Sequence, residues 1–184
     1  MEDEPEKSKS LFVRINMPTD DDLKEKTRKL DKYQREVLNI VVKFSKDIVK
    51  SRKKENGYPE GPLIMVSGGA GAGKSTVINV CAQWTQKILH QSGDSPDEQP
   101  YVVKTAFTGC AASNIEGQTL HGAFGFSFSN KHFSLSDKVR DKKRAAMKNL
   151  VLVIVDKISM VTPDQLVMLD LSCLLYTSPS PRDS

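Results

Sequence analysis

An apolar run that closes on glycines constrains this chain most: Leu63-Ile-Met-Val-Ser-Gly68-Gly-Ala-Gly71-Ala-Gly73-Lys74-Ser75-Thr76. It predicts a buried strand, a tight turn and the start of a helix. Gly68, Gly73, Lys74 and Ser75 fill the pattern G-x-x-x-x-G-K-[ST]. Glycines let backbone N–H groups turn inward at φ values that other residues resist. Those amides, with the positive end of the following helix, form a cradle for a polyphosphate. In such a cradle Lys74 reaches the β/γ-phosphates and the Ser75 hydroxyl holds Mg²⁺. A glycine turn that binds nothing is the bland alternative. The strand pattern before it and the helical pattern after it weigh against that.

The rest of the chain supplies a frame. Thr19-Asp-Asp-Asp22 reads as a helix start, with acids at the positive dipole end. A longer helix is expected from Asp31 to Lys53, with Tyr33, Val37, Ile40, Val41, Phe44 and Ile48 as its apolar stripe. Gln34 falls off that stripe. After the glycine turn, Val77, Val80, Cys81, Trp84 and Ile88 give a helix from Lys74 to Gln91 its buried side, Trp84 as core rather than as a base-stacking platform. Tyr101 to Phe107 is the second strand. Thr108 to Ile115 opens a short helix, and the alternation of Phe124, Phe126 and Phe128 reads as a half-buried strand or loop. Lys138 to Lys148 is a basic helix. Leu150 to Val155 is a continuous aliphatic run and predicts a fully buried parallel strand. Asp156 stands at its carboxyl end, where open α/β sheets bind ligands, and suits Mg²⁺. Thr162-Pro-Asp-Gln165 is a capping box. Strands alternate with helices, so the fold class is α/β with a parallel sheet.

Composition excludes several classes. At 184 residues this is a one-domain length, and a net charge of +4 admits a nucleic-acid partner without requiring one. Three cysteines without a C-x-x-C pair argue against metal or disulfide frameworks. The acidic start carries neither a secretory nor a mitochondrial leader pattern. No aliphatic run is long enough to span a bilayer.

Taken together, Gly68 to Thr76, Thr108-Gly-Cys-Ala-Ala-Ser-Asn-Ile-Glu-Gly-Gln-Thr-Leu-His121 and Val155-Asp-Lys-Ile-Ser-Met160 resemble the Pif-type DNA helicases of superfamily one, including Helitron-like copies. The resemblance runs from Leu30 to Leu171. It implies a P-loop NTPase fold of the RecA-like kind, a three-layer α/β/α arrangement with a parallel sheet. It implies ATP and Mg²⁺ as cofactors, with Gln34, Gly68, Gly69, Ala70, Gly71, Ala72, Gly73, Lys74, Ser75 and Thr76 around the nucleotide. Gln34 matches the glutamine that reads the adenine edge. Lys74 and Asp156 match catalytic positions, and Ser75 and Asp156 match Mg²⁺ ligands. Thr108, Gly109, Thr119 and His121 match positions along a single-stranded DNA path, His121 in a structural or DNA-contacting role.

The implied activity is ATP-driven 5′–3′ translocation and unwinding at duplex junctions, by a monomer in the nucleus. Repair, recombination and telomere maintenance are the implied settings, and the family also works in mitochondria. Two features depart from the pattern. Lys157 stands where the family carries the Glu that activates water, so binding without hydrolysis is expected. An ATP-gated DNA-binding module is therefore the alternative reading. A small phosphotransferase is a weaker one, and Asn130-Lys-His-Phe133 lacks the Asp of a guanine-reading motif. The chain also lacks the family's later motifs and second motor domain.

Residues 1–18 read as a disordered tail and 19–171 as a partial first motor domain. Residues 172–184 resemble a translated sequencing-library adapter. In this fold a later strand inserts between the Leu63–Val66 and Leu150–Val155 strands. Without it, two central strands expose their edges. The expected outcome is a broad, concentration-dependent thermal transition; a sharp melt of a monomer would contradict this.

Overall fold

A computed structural model describes residues 11–54, 59–91, 99–125 and 137–177. The expected features at residues 1–10, Phe126, Phe128, Asn130–Phe133 and residues 178–184 lie outside the described residues. Seven helices and three strands follow in order among the described residues. They are α1 (Asp20–Arg28), α2 (Lys32–Lys54), α3 (Lys74–His90), β1 (Val102–Ala106), α4 (Gly109–Asn114), β2 (Gln118–Thr119), α5 (Leu120–Phe124), α6 (Asp137–Met147), β3 (Leu152–Asp156) and α7 (Pro163–Thr177). The sheet is wholly parallel, with order β2-β1-β3. The α/β class expected from the alternation is the one observed.

β1 is central and all five of its residues are buried. Its two faces serve different layers, because successive side chains alternate. Val103 joins Phe12, Leu120, Phe124 and Met147 on one side. Val102 joins Ile48, Ala82 and Leu89 on the other, and Ala106 joins Ala111, Ala112 and Ile115. α3 lies between this second face and α2.

The contact between α2 and α3 corrects the expected stripe. Leu38, Val41, Ser45 and Ile48 are the buried residues of α2, whereas Tyr33 is 75% exposed and Ile40 46% exposed. The true stripe runs 34, 38, 41, 45, 48, so Gln34 lies in line with it. A polar residue in the middle disguised the pattern. Ser45 is fully buried, and its Oγ donates to the Val41 carbonyl (2.8 Å) and pairs with Thr85 Oγ1 (3.2 Å), itself fully buried. Hydrogen bonding removes the cost that burying two hydroxyls would carry.

The expected strand at Leu63–Val66 is absent. That stretch forms no ladder, and Leu63 is fully exposed and Met65 81% exposed, while Ile64 packs beside Val77, Val80 and Leu152. Nor is β3 fully buried; all five of its residues are half-buried. The reason is common to both. β3 hydrogen-bonds only to β1 among the described residues, so it is an edge, and Leu63–Val66 has no neighbour to complete its pairing.

Near the start of the described residues, Phe12 is buried in the core and the Asn16 carbonyl accepts from Gln83 Nε2 at 2.9 Å. α7 crosses residue 172 and runs to Thr177, with Ser172 buried and Cys173 packed on the β1 core.

β2 and α5 were not foreseen. Thr105 pairs with Gln118 and Ala106 with Thr119. The approach is made by Gly117, where a Cβ would overlap the Lys104 carbonyl oxygen and lie 2.9 Å from its carbon. Backbone cannot yield there as a flexible side chain would. Gly117→Ala is therefore expected to cost about 1–3 kcal/mol, seen as faster amide exchange in β1 and β2. Unaltered protection in those strands would contradict the close approach.

Candidate functional site

The glycine turn has the conformation its sequence demands. Gly71 (φ 77°) and Gly73 (φ 71°) both sit in the left-handed region, which costs other residues steric strain. α3 begins immediately afterwards at Lys74, so its first N–H groups and its positive dipole end face the turn. Gly68, Gly69, Ala70, Gly71 and Ala72 are exposed, as are Ser75 and Thr76 on the first turn of α3. Lys74 folds back, its Nζ donating to the Gly68 and Gly69 carbonyls at 2.7 Å each. The ammonium is thus held over the mouth of the turn by weak neutral acceptors, which a phosphate oxygen would outcompete.

Gln34 is the residue that braces this turn. Asp31 and Gln34 form a capping box at the start of α2. The Gln34 N–H donates to Asp31 Oδ1 (2.9 Å), and the Asp31 N–H donates to Gln34 Oε1 (3.0 Å). The other end of the same amide, Nε2, donates to the Ala72 carbonyl at 3.0 Å. A Cβ on Gly73 would lie 2.6 Å from that nitrogen. Gly73 is required twice, for its φ and for this contact. The sequence signal was the D-x-x-Q spacing at a helix start.

A second group assembles at the carboxyl ends of the strands. Ala106 pairs with Thr119 on one side and Asp156 on the other, so these two lie level across the sheet. Thr108 caps α4, its Oγ1 accepting from the Ala111 N–H at 3.3 Å. Thr119 caps α5 in the same way, accepting from the Gly122 N–H at 3.1 Å. Gly109 is exposed at the start of α4 with open space about it. The His121 ring meets Phe107 edge-on at 6.0 Å, and burial holds its pKa below the ordinary value. Family resemblance assigned Thr108, Gly109, Thr119 and His121 to one path. It missed that both threonine hydroxyls are helix caps.

Two buried lysines were also missed. Lys143 on α6 donates to the Gly122 (3.0 Å) and Ala123 (2.6 Å) carbonyls, neutralising the negative end of α5. Lys104 lies in β1 and donates to Asn79 Oδ1 on α3 at 2.8 Å. Burial lowers the pKa of both.

Asp156 is half-buried, and Lys157 after it is exposed with φ 54°. A non-glycine residue seldom takes that conformation. The available donors are hard oxygens: the Ser75 hydroxyl and the Asp156 carboxylate. They suit Mg²⁺, which takes one or two protein oxygens and completes its shell with phosphate and water. No cluster of three or more His, Cys, Asp or Glu that could hold a metal occurs among the described residues. Burial pushes the Cys81 thiol up to about 12 and, as the main cause, the Cys173 thiol up to about 11, so neither is a thiolate at neutral pH. No helix among the described residues is long and apolar enough to cross a membrane.

The AAA domain family matches residues 54–173, which include the glycine turn and Asp156. The chain belongs to the AAA domain family. Its similarity to Pif-type helicases holds across curated relatives. ATP-dependent DNA helicase PIF1 of Candida albicans is 32% identical over 143 residues, 74% of this chain and 14% of the relative. ATP-dependent DNA helicase PIF1 of Emericella nidulans is 34% identical over 109 residues, 57% of this chain and 14% of the relative. ATP-dependent DNA helicase RRM3 of Saccharomyces cerevisiae is 31% identical over 131 residues, 70% of this chain and 15% of the relative. The chain thus spans about 14–15% of the length of these relatives. No solved structure matches it.

Gln34→Glu tests the brace. It keeps the acceptor that caps α2 and removes the donor to Ala72. The expected result is an unchanged α2 with nucleotide affinity lower by about tenfold, one hydrogen bond's worth. Equal affinity for both proteins, measured with a fluorescent ATP analogue, would remove Gln34 from the site.

Proposed function

We propose that this chain is the nucleotide-binding part of the first motor domain of an ATP-dependent DNA helicase. The observation that carries the reading is the Lys74 ammonium, poised on the Gly68 and Gly69 carbonyls above two left-handed glycines at the start of α3. Lys74 exchanges those carbonyls for β/γ-phosphate oxygens. The amides of Gly68–Thr76 line the rest of the polyphosphate, and Gln34 keeps the turn open to it. Ser75 and Asp156 would hold Mg²⁺, which would supply charge neutralisation to the polyphosphate.

The level row Asp156, Ala106, Thr119 supports a second ligand at the strand ends. Single-stranded DNA is the partner that the relatives' names suggest. Thr108, Gly109, Thr119 and His121 are the residues we assign to it. Translocation 5′–3′, unwinding at duplex junctions, action as a monomer, a nuclear setting and service in repair, recombination and telomere maintenance complete the reading.

Lys157 favours a second reading, an ATP-gated DNA-binding module. An ammonium at that position cannot take a proton from water at neutral pH. In this reading nucleotide binds and is held without turnover.

Two substitutions test these readings. Lys74→Ala is expected to abolish binding of labelled Mg·ATP; retained binding would defeat both. Lys157→Glu is expected to raise hydrolysis with single-stranded DNA present by about 10²–10⁴-fold, the usual worth of a general base. Rapid turnover by the Lys157 protein itself would eliminate the gated module.

A further inference from the structure

Lys104 is out of place by composition. It lies in the centre of β1, 5% exposed, between Val102 and Ala106, which are fully buried on the same face. An aliphatic side chain there would fold at lower cost, because a buried ammonium must be paired to be tolerated. Its partners are what distinguish it. Nζ donates to Asn79 Oδ1 at 2.8 Å. Asn79 belongs to α3, one and a half turns after Lys74. Burial lowers the Lys104 pKa while the Glu116 carboxylate pulls the other way, favouring the charged form.

Glu116 and its neighbours give the other half of the arrangement. Glu116 adopts φ 51°, a conformation a glutamate seldom takes. Its N–H donates to the Ser113 carbonyl and the Gly117 N–H to the Ala112 carbonyl, closing α4. Gly117 then packs on the Lys104 backbone, and Gln118 enters the ladder beside Thr105. β2 is two residues long, so few bonds fix its position. Thr119 follows at once, capping α5 and setting His121. One residue therefore touches the nucleotide helix with its tip and the turn leading to Thr119 with its backbone.

We propose that Lys104 is a positioning residue that couples α3 to the Glu116–Thr119 turn, so that nucleotide at Gly68–Thr76 resets the Thr119–His121 segment. The coupling rests on the nucleotide-site reading given above. A shift of α3 on nucleotide binding moves Asn79. Lys104 follows through its hydrogen bond to Asn79 Oδ1. Glu116 follows Lys104 through charge, and Gly117 through direct backbone contact.

Hydrogen–deuterium exchange of the whole chain, with and without Mg²⁺ and a non-hydrolysable ATP analogue, reads both ends at once. In the unaltered protein the analogue should slow exchange at Gly68–Thr76 and change it at Glu116–Phe124. Lys104→Met replaces the ammonium by an apolar chain of similar length, which buried ion-pair replacements tolerate. The loop should still be protected, while the change at Glu116–Phe124 falls by about fivefold or more, the low end of coupling between sites. Asn79→Leu should give the same loss from the other partner, and it stands in should Lys104→Met fail to fold. A turn response that persists in the variants overturns the proposal. So does its absence from the unaltered protein when the loop is protected. Absence of loop protection itself would instead remove the nucleotide site, and the coupling with it.

Discussion

The left-handed turn between Gly71 and Gly73 is the constraint on which the other parts depend. Two residues with positive φ bring the chain round within a few ångströms and launch α3 at Lys74. Left to itself such a turn gains little, since glycine loses more backbone entropy on ordering than any other residue. The fold returns that cost through neighbours. α3 is buried against α2, β1 and β3, and Gln34 reaches from the first turn of α2 to the Ala72 carbonyl. The cap of one helix and the loop before another are thereby fixed by one amide group. A substitution at Gln34 consequently acts on the loop's shape even where it leaves helix content alone.

That arrangement explains which parts were legible in sequence. Elements with strong local signals came out close to observation: α3 from its glycine turn and apolar spacing, β3 from its aliphatic run, β1 between its flanking turns, and the starts of α1 and α7 from their caps. The α2 stripe was misassigned because its centre is Ser45, and only tertiary structure reveals that Thr85 awaits it. β2 was illegible for the opposite reason. Two residues cannot carry a period, and its position is dictated by the close approach of Gly117 to Lys104, which lies in β1. The glycine turn was legible because main-chain geometry writes itself into glycine spacing. The cap roles of Thr108 and Thr119 were available from the same rules that identified Thr19, and were overlooked beside a family pattern.

Leu63–Val66 shows the limit of local reasoning about strands. Its composition favours a buried parallel strand, yet a strand is a relation between chains and not a property of one. With β3 ending the sheet on that side, Leu63 and Met65 stand in solvent while Ile64 alone finds the α2–α3 core. The phosphate loop is therefore anchored at its carboxyl side, through α3 and Gln34, far more firmly than at its amino side. Nucleotide contact through Lys74 would tie the two sides, since its ammonium already bridges to the Gly68 and Gly69 carbonyls.

The buried lysines bear on how the short elements at the strand ends are held. Lys143 sets its ammonium on the Gly122 and Ala123 carbonyls of α5, and Lys104 sets its own on Asn79 of α3. Neither position needs a cation for packing. Both would be filled more cheaply by methionine or leucine were burial the sole requirement. What a cation adds is direction: a hydrogen-bonded tip holds its partner within a few tenths of an ångström, where an apolar contact would let it slide. α5 has five residues and β2 two, too few for their own bonds to fix them against the sheet. The Lys143 ammonium supplies part of that fixity to α5, and the backbone of Lys104 meets the chain at Gly117 just before β2. The segment carrying Thr119 and His121 is thus held in part from outside itself.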